Sequence, residues 1–126
     1  MKRKDLLVLD NKDNKAVEVF SDLGVPRNLA KTLMYISQVD ECRSADIEQA
    51  ADLRQPEVSI VMKELHKRGW VTRKYLKKEG KGRPTHIYKP TMNLSEIVKT
   101  FEQEKLKEVE TIKNDLSELK NLIKSR

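Results

Sequence analysis

The stretch SADIEQAADLRQPEVSIVMKEL, residues 44–65, contains two short helical patterns separated by a break. Ser44 offers a hydroxyl as the N-cap of a helix that runs through Ala51. Pro56 suits the first position of a second helix, and Gly69 is expected to end it. The apolar residues that repeat with helical period, and that form the predicted buried face of this second helix, are Val58, Val61, Met62 and Leu65.

Apolar periodicity predicts two further helices upstream, one from about Asp13 to Leu23 and one from 26 to about 39. The segment Leu6–Leu9 fits a short strand or a turn of helix equally well. Downstream, residues 70–76 are aromatic and β-branched and predict a strand, with 86–88 as its antiparallel return. Two glycines, a proline and four basic residues make 77–85 the hairpin loop between them.

Asn93 and Glu96 have capping-box spacing, and from there neither Gly nor Pro interrupts the chain to Arg126. A helix of about 31 residues would be roughly 46 Å long. Its second half repeats apolar residues in steps of three and four, the pattern of a coiled-coil seam. We therefore expect pairing with a second copy, although the helix folding back on its own domain is the alternative. The predicted dimerisation residues are Leu94, Val98, Phe101, Val109, Ile112, Leu116, Leu119 and Ile123.

The positive charge of the chain is concentrated in its centre. The whole chain carries a net charge of +6, but residues 1–53 balance to −2, residues 54–90 to +8 and residues 91–126 to zero. A generally basic, solubilising surface would spread the excess along the chain. This concentration favours a polyanionic partner for the central segment.

Several other classes of protein are disfavoured. A chain of 126 residues holds one compact domain with at most an appendage. There is no apolar run of membrane-spanning length and no signal-peptide core, so a cytoplasmic protein is expected. We find no catalytic triad, Gly-rich phosphate loop or Cys/His cluster, and we expect neither an enzyme, nor a metal site, nor a cofactor.

Winged helix-turn-helix proteins have the same order of elements: three helices, with a tight turn between the second and third, and then a hairpin with a basic tip. Residues 26–90 resemble the winged-helix transcriptional regulators, especially the archaeal and bacterial ArsR, MarR and TrmB-like groups, and an archaeal source is favoured. The resemblance rests on residues 44–53, on 55–65, on Lys67-Arg68-Gly69-Trp70-Val71, and on Gly82-Arg83-Pro84 before Tyr88. It implies a fold that is mainly α with a small β-hairpin, followed by a long C-terminal dimerisation helix. The domains are then an N-terminal extension with a short helix (1–25), the DNA-binding domain (26–90) and the dimerisation helix (91–126).

The resemblance implies double-stranded DNA as the partner of a homodimer. With its apolar face inward, the second helix of the motif turns five side chains outward: Pro56, Ser59, Ile60, Lys63 and Lys67. In the families resembled, residues at the turn and at the first helical positions reach bases, which here points to Gln55, Pro56 and Ser59. Gln pairs bidentately with adenine, and Ile60 suits a thymine methyl group.

The hairpin loop would form the wing. Lys77, Lys78 and Lys81 are expected to neutralise phosphates, and Gly82-Arg83-Pro84 is similar to short arms whose arginine enters a narrow minor groove. Arg83 is the predicted minor-groove residue. The predicted phosphate contacts that flank the helix are Arg54, Arg73 and Lys74.

Several features of the sequence allow an alternative interpretation. The runner-up function is a winged-helix protein-interaction module of transcription machinery, docking through the coiled coil, but such a module has no need of the central charge. We expect Trp70 in the core, Tyr75 and Tyr88 in sheet packing, and His66 and His86 in surface or structural roles. Cys42 is expected to be a small buried side chain rather than a redox sensor. The sequence also allows a small-molecule effector but does not identify its chemistry.

Overall fold

A computed structural model describes residues 10–76 and 85–126, apart from the side chains of 75, 76 and 85. The described residues form, in chain order, α1 (Asn11–Asp22), α2 (Arg27–Ile36), β1 (Cys42–Arg43), α3 (Ser44–Ala51), α4 (Gln55–Lys67), β2 (Val71–Leu76), β3 (Thr85–Pro90) and α5 (Leu94–Lys124). The predicted fold class is confirmed. The Leu6–Leu9 segment and the predicted loop tip, residues 77–84, lie outside the described residues.

Helix α1 begins two residues before the predicted start because its cap is Asp10. The Asp10 carboxylate accepts from the backbone N–H of Asp13 at 2.8 Å, and the Asp13 carboxylate accepts from the N–H of Asp10 at 3.0 Å. Two orphan donors at the helix start are thereby satisfied. The helix ends at Asp22, and Gly24, just after the cap Leu23, has a φ of 95° that favours a residue without a side chain.

The prediction that Ser44 caps α3 was wrong, since Ser44 is the first residue of this helix and Arg43 is the cap. The Asp46 carboxylate accepts from the backbone N–H of Arg43 at 2.9 Å, so the capping acceptor comes from inside the helix. Arg43 is held in extended conformation by β1, a strand that sequence reasoning did not find. Cys42 pairs with Tyr88 and Arg43 with Ile87.

The turn between α3 and α4 depends on one left-handed residue. Asp52 has a φ of 56°, and the N–H of Leu53 bonds to the carbonyl of Glu48 at 2.9 Å. Asp tolerates this region better than most residues with a side chain. Helix α4 then starts at Gln55, so Pro56 occupies its second position rather than its first, and the Glu57 carboxylate accepts from the N–H of Arg54 at 2.9 Å.

Helix α4 ends at Lys67, and Gly69 terminates it as predicted, with a φ of 80°. The N–H of Trp70 bonds to the carbonyl of Leu65 at 3.1 Å, and that of Gly69 to the carbonyl of His66 at 3.0 Å. This pair of bonds is a Schellman motif, which satisfies the last carbonyls of the helix and turns the chain into β2. Trp70 is buried, as predicted.

The sheet has three antiparallel strands in the order β1-β3-β2. Val71 pairs with Pro90, Arg73 with Tyr88 and Tyr75 with His86. The predicted hairpin is therefore present, with β1 added along its other edge. Residues on α1 to α4 and on the sheet supply the apolar core, and its fully buried members include Leu33, Tyr35, Ile36, Ile47, Val58 and Leu65.

The chain divides between Leu94 and Ser95 into two compact units. The second unit consists almost entirely of α5, a helix of 31 residues. Its buried residues are Ile97 and Phe101, and no side chain from 102 to 126 is buried. No helix in the described ranges has the length and hydropathy needed to cross a membrane.

Candidate nucleic-acid interface

Helix α4 buries one face and exposes the other. Its four predicted core residues are buried, because their spacing places them on one side of the helix. All of the outward residues named from the sequence are exposed, and Ile60 retains 69% of its accessible surface. The exposed set is Gln55, Pro56, Ser59, Ile60, Lys63 and Lys67.

The exposed face of α4 adjoins the sheet in a notch of about 310 Å³. Gln55, Ser59 and Lys63 form one wall, and Arg73 of β2 lies on the other. The structure thus brings together four residues that the sequence assigned to DNA contact on two separate elements. The notch is also lined by residues that the sequence did not assign to it: Ser44, Met62, His66, His86 and Tyr88.

Strand alternation explains which sheet residues reach the notch. Arg73 pairs with Tyr88 across β2 and β3, so the two side chains project from the same face. His86 lies two residues before Tyr88 on that face, and their rings meet edge to face with centroids 6.2 Å apart. Lys74 projects from the opposite face, where its Nζ lies 3.8 Å from a carboxylate oxygen of Glu41.

A second, more apolar groove of about 530 Å³ runs along the other side of α4. Ile60, Lys63 and Lys67 line it together with Pro26 and Leu29. Lys63 therefore stands between the two concavities, at the centre of the exposed face. The predicted contact residues form one continuous stripe that extends from the sheet side to the α2 side.

Arg68, at the end of α4, is held by its own chain. Its Nε donates to the carboxylate of Glu64 at 3.1 Å, and its guanidinium lies 5.0 Å from the centroid of the Trp70 ring. This arrangement anchors the helix-to-strand joint. It leaves Arg68 a structural role, consistent with its absence from the predicted contacts.

The described part of the central segment remains strongly basic. Residues 54–76 and 85–90 contain seven basic and two acidic side chains, a net charge of +5. Both acids have structural partners, since Glu57 caps α4 and Glu64 binds Arg68. The cations therefore dominate the exposed side chains of this segment. The predicted tip residues Lys77, Lys78, Lys81 and Arg83 lie outside the described residues.

His66 was within reach of sequence reasoning. It follows Ser59 by seven residues, which places both on the same stripe of α4, and it is exposed. His86 and Tyr88 could not be predicted in the same way, because their position beside α4 depends on how the sheet packs on the helix. Cys42 is completely buried, as expected for a small apolar side chain. In the described ranges, His, Cys, Asp and Glu form no cluster suited to a metal ion.

The predicted dimerisation residues do not share one environment. Phe101 is buried in the single chain. Ile97, not selected by the sequence pattern, is also buried, whereas Val98 is 44% exposed. The five residues that remain farther along α5 are all exposed: Val109, Ile112, Leu116, Leu119 and Ile123.

No family model and no curated protein matches the sequence. Solved structures do match. A protein from Methanosarcina mazei, described as a possible transcriptional regulator, is 15% identical with a TM-score of 0.65, over 83% of this chain and 87% of that one. A transcriptional regulator homologue from Pyrococcus horikoshii is 17% identical with a TM-score of 0.51, over 80% and 97%.

TrmBL2, described as an archaeal chromatin protein with a novel mode of DNA binding, is 18% identical with a TM-score of 0.56. The match covers 87% of this chain but only 42% of TrmBL2, so the chain spans less than half of that protein. At these identities the likeness establishes the fold. The winged helix-turn-helix predicted from the sequence is confirmed.

Proposed function

We propose that this protein is a sequence-specific DNA-binding transcriptional regulator that acts as a homodimer on a pseudo-palindromic operator. The observation that carries the proposal is the exposed face of α4, which is polar and basic, lies beside a cationic notch, and belongs to the most positively charged segment of the chain. An α-helix fits the major groove of B-DNA, and a helix-turn-helix presents its second helix there.

Within this proposal, the residues at the start of α4 read bases. Gln55 has the amide needed for a bidentate contact with adenine, and the Ser59 hydroxyl serves a base or a phosphate. Ile60, 69% exposed, offers a methyl surface to thymine. Pro56 shapes the first turn beside them without a backbone donor of its own.

The surrounding cations bind the sugar-phosphate backbone. Lys63 and Lys67 extend from α4, Arg54 precedes it, and Arg73 faces it across the notch. Phosphate contacts of this kind fix the register of a protein on the duplex and make its affinity depend on salt. Lys74 also belongs to this set, although Glu41 lies close enough to compete for it.

The wing is assigned to the minor groove on sequence grounds. Lys77, Lys78 and Lys81 would neutralise phosphates, and Arg83 would enter the groove where it narrows over an A·T tract. A narrow minor groove has an enhanced negative potential that attracts arginine. The major-groove helix and the minor-groove wing would then contact adjacent faces of the same half-site.

The comparisons support DNA as the partner. Two of the similar structures are described as regulators or homologues of regulators, and TrmBL2 is described through its mode of DNA binding. The homodimer rests on the exposed apolar face of α5. Two copies would present two α4 helices to half-sites about one helical turn apart, roughly 34–36 Å.

Selection from a pool of random DNA duplexes tests the proposal. We expect the full chain to enrich a motif made of two inverted half-sites. A chain carrying Ser59→Glu should not enrich it, since a carboxylate on this face repels phosphates. Recovery of unchanged, random sequences would contradict sequence-specific binding and would direct attention to a protein-interaction role instead.

A further inference from the structure

An apolar stripe on α5 is exposed over its whole length. Its five residues keep between 45% and 62% of their accessible surface, although large aliphatic side chains are normally covered. They are separated by steps of three and four residues, and they are Val109, Ile112, Leu116, Leu119 and Ile123. A stripe with this spacing is the seam of a coiled coil.

The heptad register of the seam follows from the steps. Val109, Leu116 and Ile123 occupy position a, and Ile112 and Leu119 occupy position d. One heptad earlier, the same two positions are held by polar residues, Glu102 and Lys105. The apolar seam therefore starts at Val109. Two more exposed apolar residues flank its ends, Leu106 at position e and Leu122 at position g.

The residues at the remaining flanking positions are charged, and the sign depends on the position. Glu108 and Asp115 lie at g, and Lys113 and Lys120 lie at e. All four are exposed. Each position therefore has its own sign in both heptads, acidic at g and basic at e, which is a pattern that distinguishes the two ways in which a pair of helices can run.

In a parallel pair, a residue at g faces the residue at e five positions later in the other helix. Glu108 would then meet Lys113 of the second copy, and Asp115 would meet Lys120, with every pair attractive. In an antiparallel pair, g faces g and e faces e, so that acids meet acids and lysines meet lysines. Like charges at close range destabilise a pairing and select against it.

We propose that α5 pairs with α5 of a second copy in a parallel, in-register coiled coil, selected by Glu108–Lys113 and Asp115–Lys120 pairs between the helices. This inference rests on the homodimer of the proposed function and specifies its geometry. In such a pair the two Leu94 residues lie at the same end of the seam. Both DNA-binding domains are then attached to that end.

Glu108 already has a partner within its own helix. The Nζ of Lys105 lies 3.1 Å from its carboxylate, with both side chains partly exposed. An exposed pair of this kind contributes little to stability and is screened by salt, so Glu108 exchanges or shares it at small cost. Asp115 and Lys120 form no ion pair with another side chain in the part of the chain that the structure describes, so the Asp115–Lys120 pair should be the stronger of the two.

The proposal is tested by reversing the charges at position e in the full chain. Lys113→Glu with Lys120→Glu places acids opposite acids in a parallel pair, twice for each heptad. We expect the dissociation constant of the dimer, measured by sedimentation equilibrium at low salt, to rise by at least about 30-fold. In an antiparallel pair the same substitutions would replace repulsion between lysines with repulsion between glutamates. The dissociation constant of the dimer would then stay within a few-fold of its original value.

A matched control separates this effect from net charge. Lys107→Glu with Lys124→Glu makes the same change of charge at exposed positions f and b, which face away from the seam. This variant should dimerise like the unaltered chain. Adding Glu108→Lys and Asp115→Lys to the reversed variant restores every pair with opposite polarity, and the dimer should recover.

A second measurement is independent of charge. A residue at position d faces the same residue of the second copy only when the two helices are parallel and in register. Leu119→Cys should therefore form a covalent dimer under mild oxidation. The unaltered chain, whose Cys42 is buried, should not. A dimer that ignores the charge reversal, or that fails to cross-link through position 119, overturns the parallel arrangement. A chain that stays monomeric overturns the arrangement and the homodimer together, while sequence selection by α4 would remain measurable.

Discussion

Helices α4 and α5 each present a long exposed face, but the chemistry of the two faces is opposite. The face of α4 carries polar and cationic side chains around Lys63 and borders a notch that contains Arg73. The face of α5 carries aliphatic side chains in a helix whose segment, 91–126, has no net charge. Neither face is covered by the residues that the structure describes.

The difference indicates what each surface accepts. Cations beside a helix that fits the major groove attract a polyanion, and the affinity of the protein for that polyanion falls as salt rises. An aliphatic stripe gains by leaving water, and it does so against another stripe of the same spacing. These two chemistries support the proposal that α4 contacts DNA and that α5 self-associates, and separate substitutions test each half of it.

The largest effect is expected at the seam. Leu116→Asp would bring a carboxylate into the centre of the apolar stripe, where its desolvation opposes pairing. We expect the dissociation constant of the dimer to rise by more than about 100-fold, a cost of about 3 kcal/mol or more. Sedimentation equilibrium measures this.

Thr111→Asp is the matched control, because residue 111 is exposed at position c, away from the seam. It introduces the same charge five residues earlier and should leave the dimer intact. Equal weakening by both substitutions would show that charge on α5, and not the apolar stripe, governs association.

The next effect concerns reading of sequence by α4. Gln55→Ala removes a bidentate base contact, which should lower the preference for the selected duplex over a single-base variant at that position by about 10-fold or more. Gln103→Ala makes the same change at an exposed position of α5 and should leave the preference unaltered. Competition binding with the two duplexes distinguishes them, and an unchanged preference in the Gln55 variant would remove this residue from the reading face.

A smaller effect should separate two neighbouring cations of β2. Arg73→Gln is expected to weaken binding to all duplexes alike, by about 3- to 10-fold, and to reduce the salt dependence by about one phosphate contact. Lys74 lies on the other face of the sheet, near Glu41, and Lys74→Gln should have less effect. Salt titrations of both variants provide the measurement. An equal or greater loss from the Lys74 variant would refute the notch as a phosphate site.

The smallest effect concerns the turn that positions α4. Asp52 is left-handed, with a φ of 56°, so Asp52→Gly should relieve strain, and Asp52→Ala should be about 1 kcal/mol less stable than the Gly variant. Ala50→Gly, inside α3, should instead lower the free energy of unfolding by about 1 kcal/mol, because glycine is a poor helix former. Urea unfolding measures both. A Gly variant at position 52 that is less stable than the Ala variant would contradict this account of the turn.

Most of the fold was accessible from the sequence because it depends on local patterns. The apolar spacing of α4, its end at Gly69 and the uninterrupted length of α5 each have a signature within one turn or a few turns of helix. Strand β1 was not predicted, because its two residues are too few to show an apolar repeat. Its existence depends on pairing with β3, more than forty residues away.

The candidate site divides in the same way. The outward residues of α4 follow from its buried face, and the structure confirms that they are exposed. The sequence did not predict that His86 and Tyr88 adjoin that face, because sheet-on-helix packing sets their position. On α5, the coiled-coil pattern selected Val98 and Phe101 but not Ile97. In the single chain Val98 is exposed, whereas Ile97 and Phe101 are buried. Periodicity identifies a stripe but does not specify what covers it.

The most direct test of the central claim is the affinity of the full chain for a selected duplex and for its scrambled counterpart, measured across a range of salt concentrations. We expect the selected duplex to bind about 1000-fold more tightly, with both affinities falling steeply as salt rises. Equal affinity for the two duplexes, at every salt concentration, would contradict the assignment of sequence reading to the exposed face of α4.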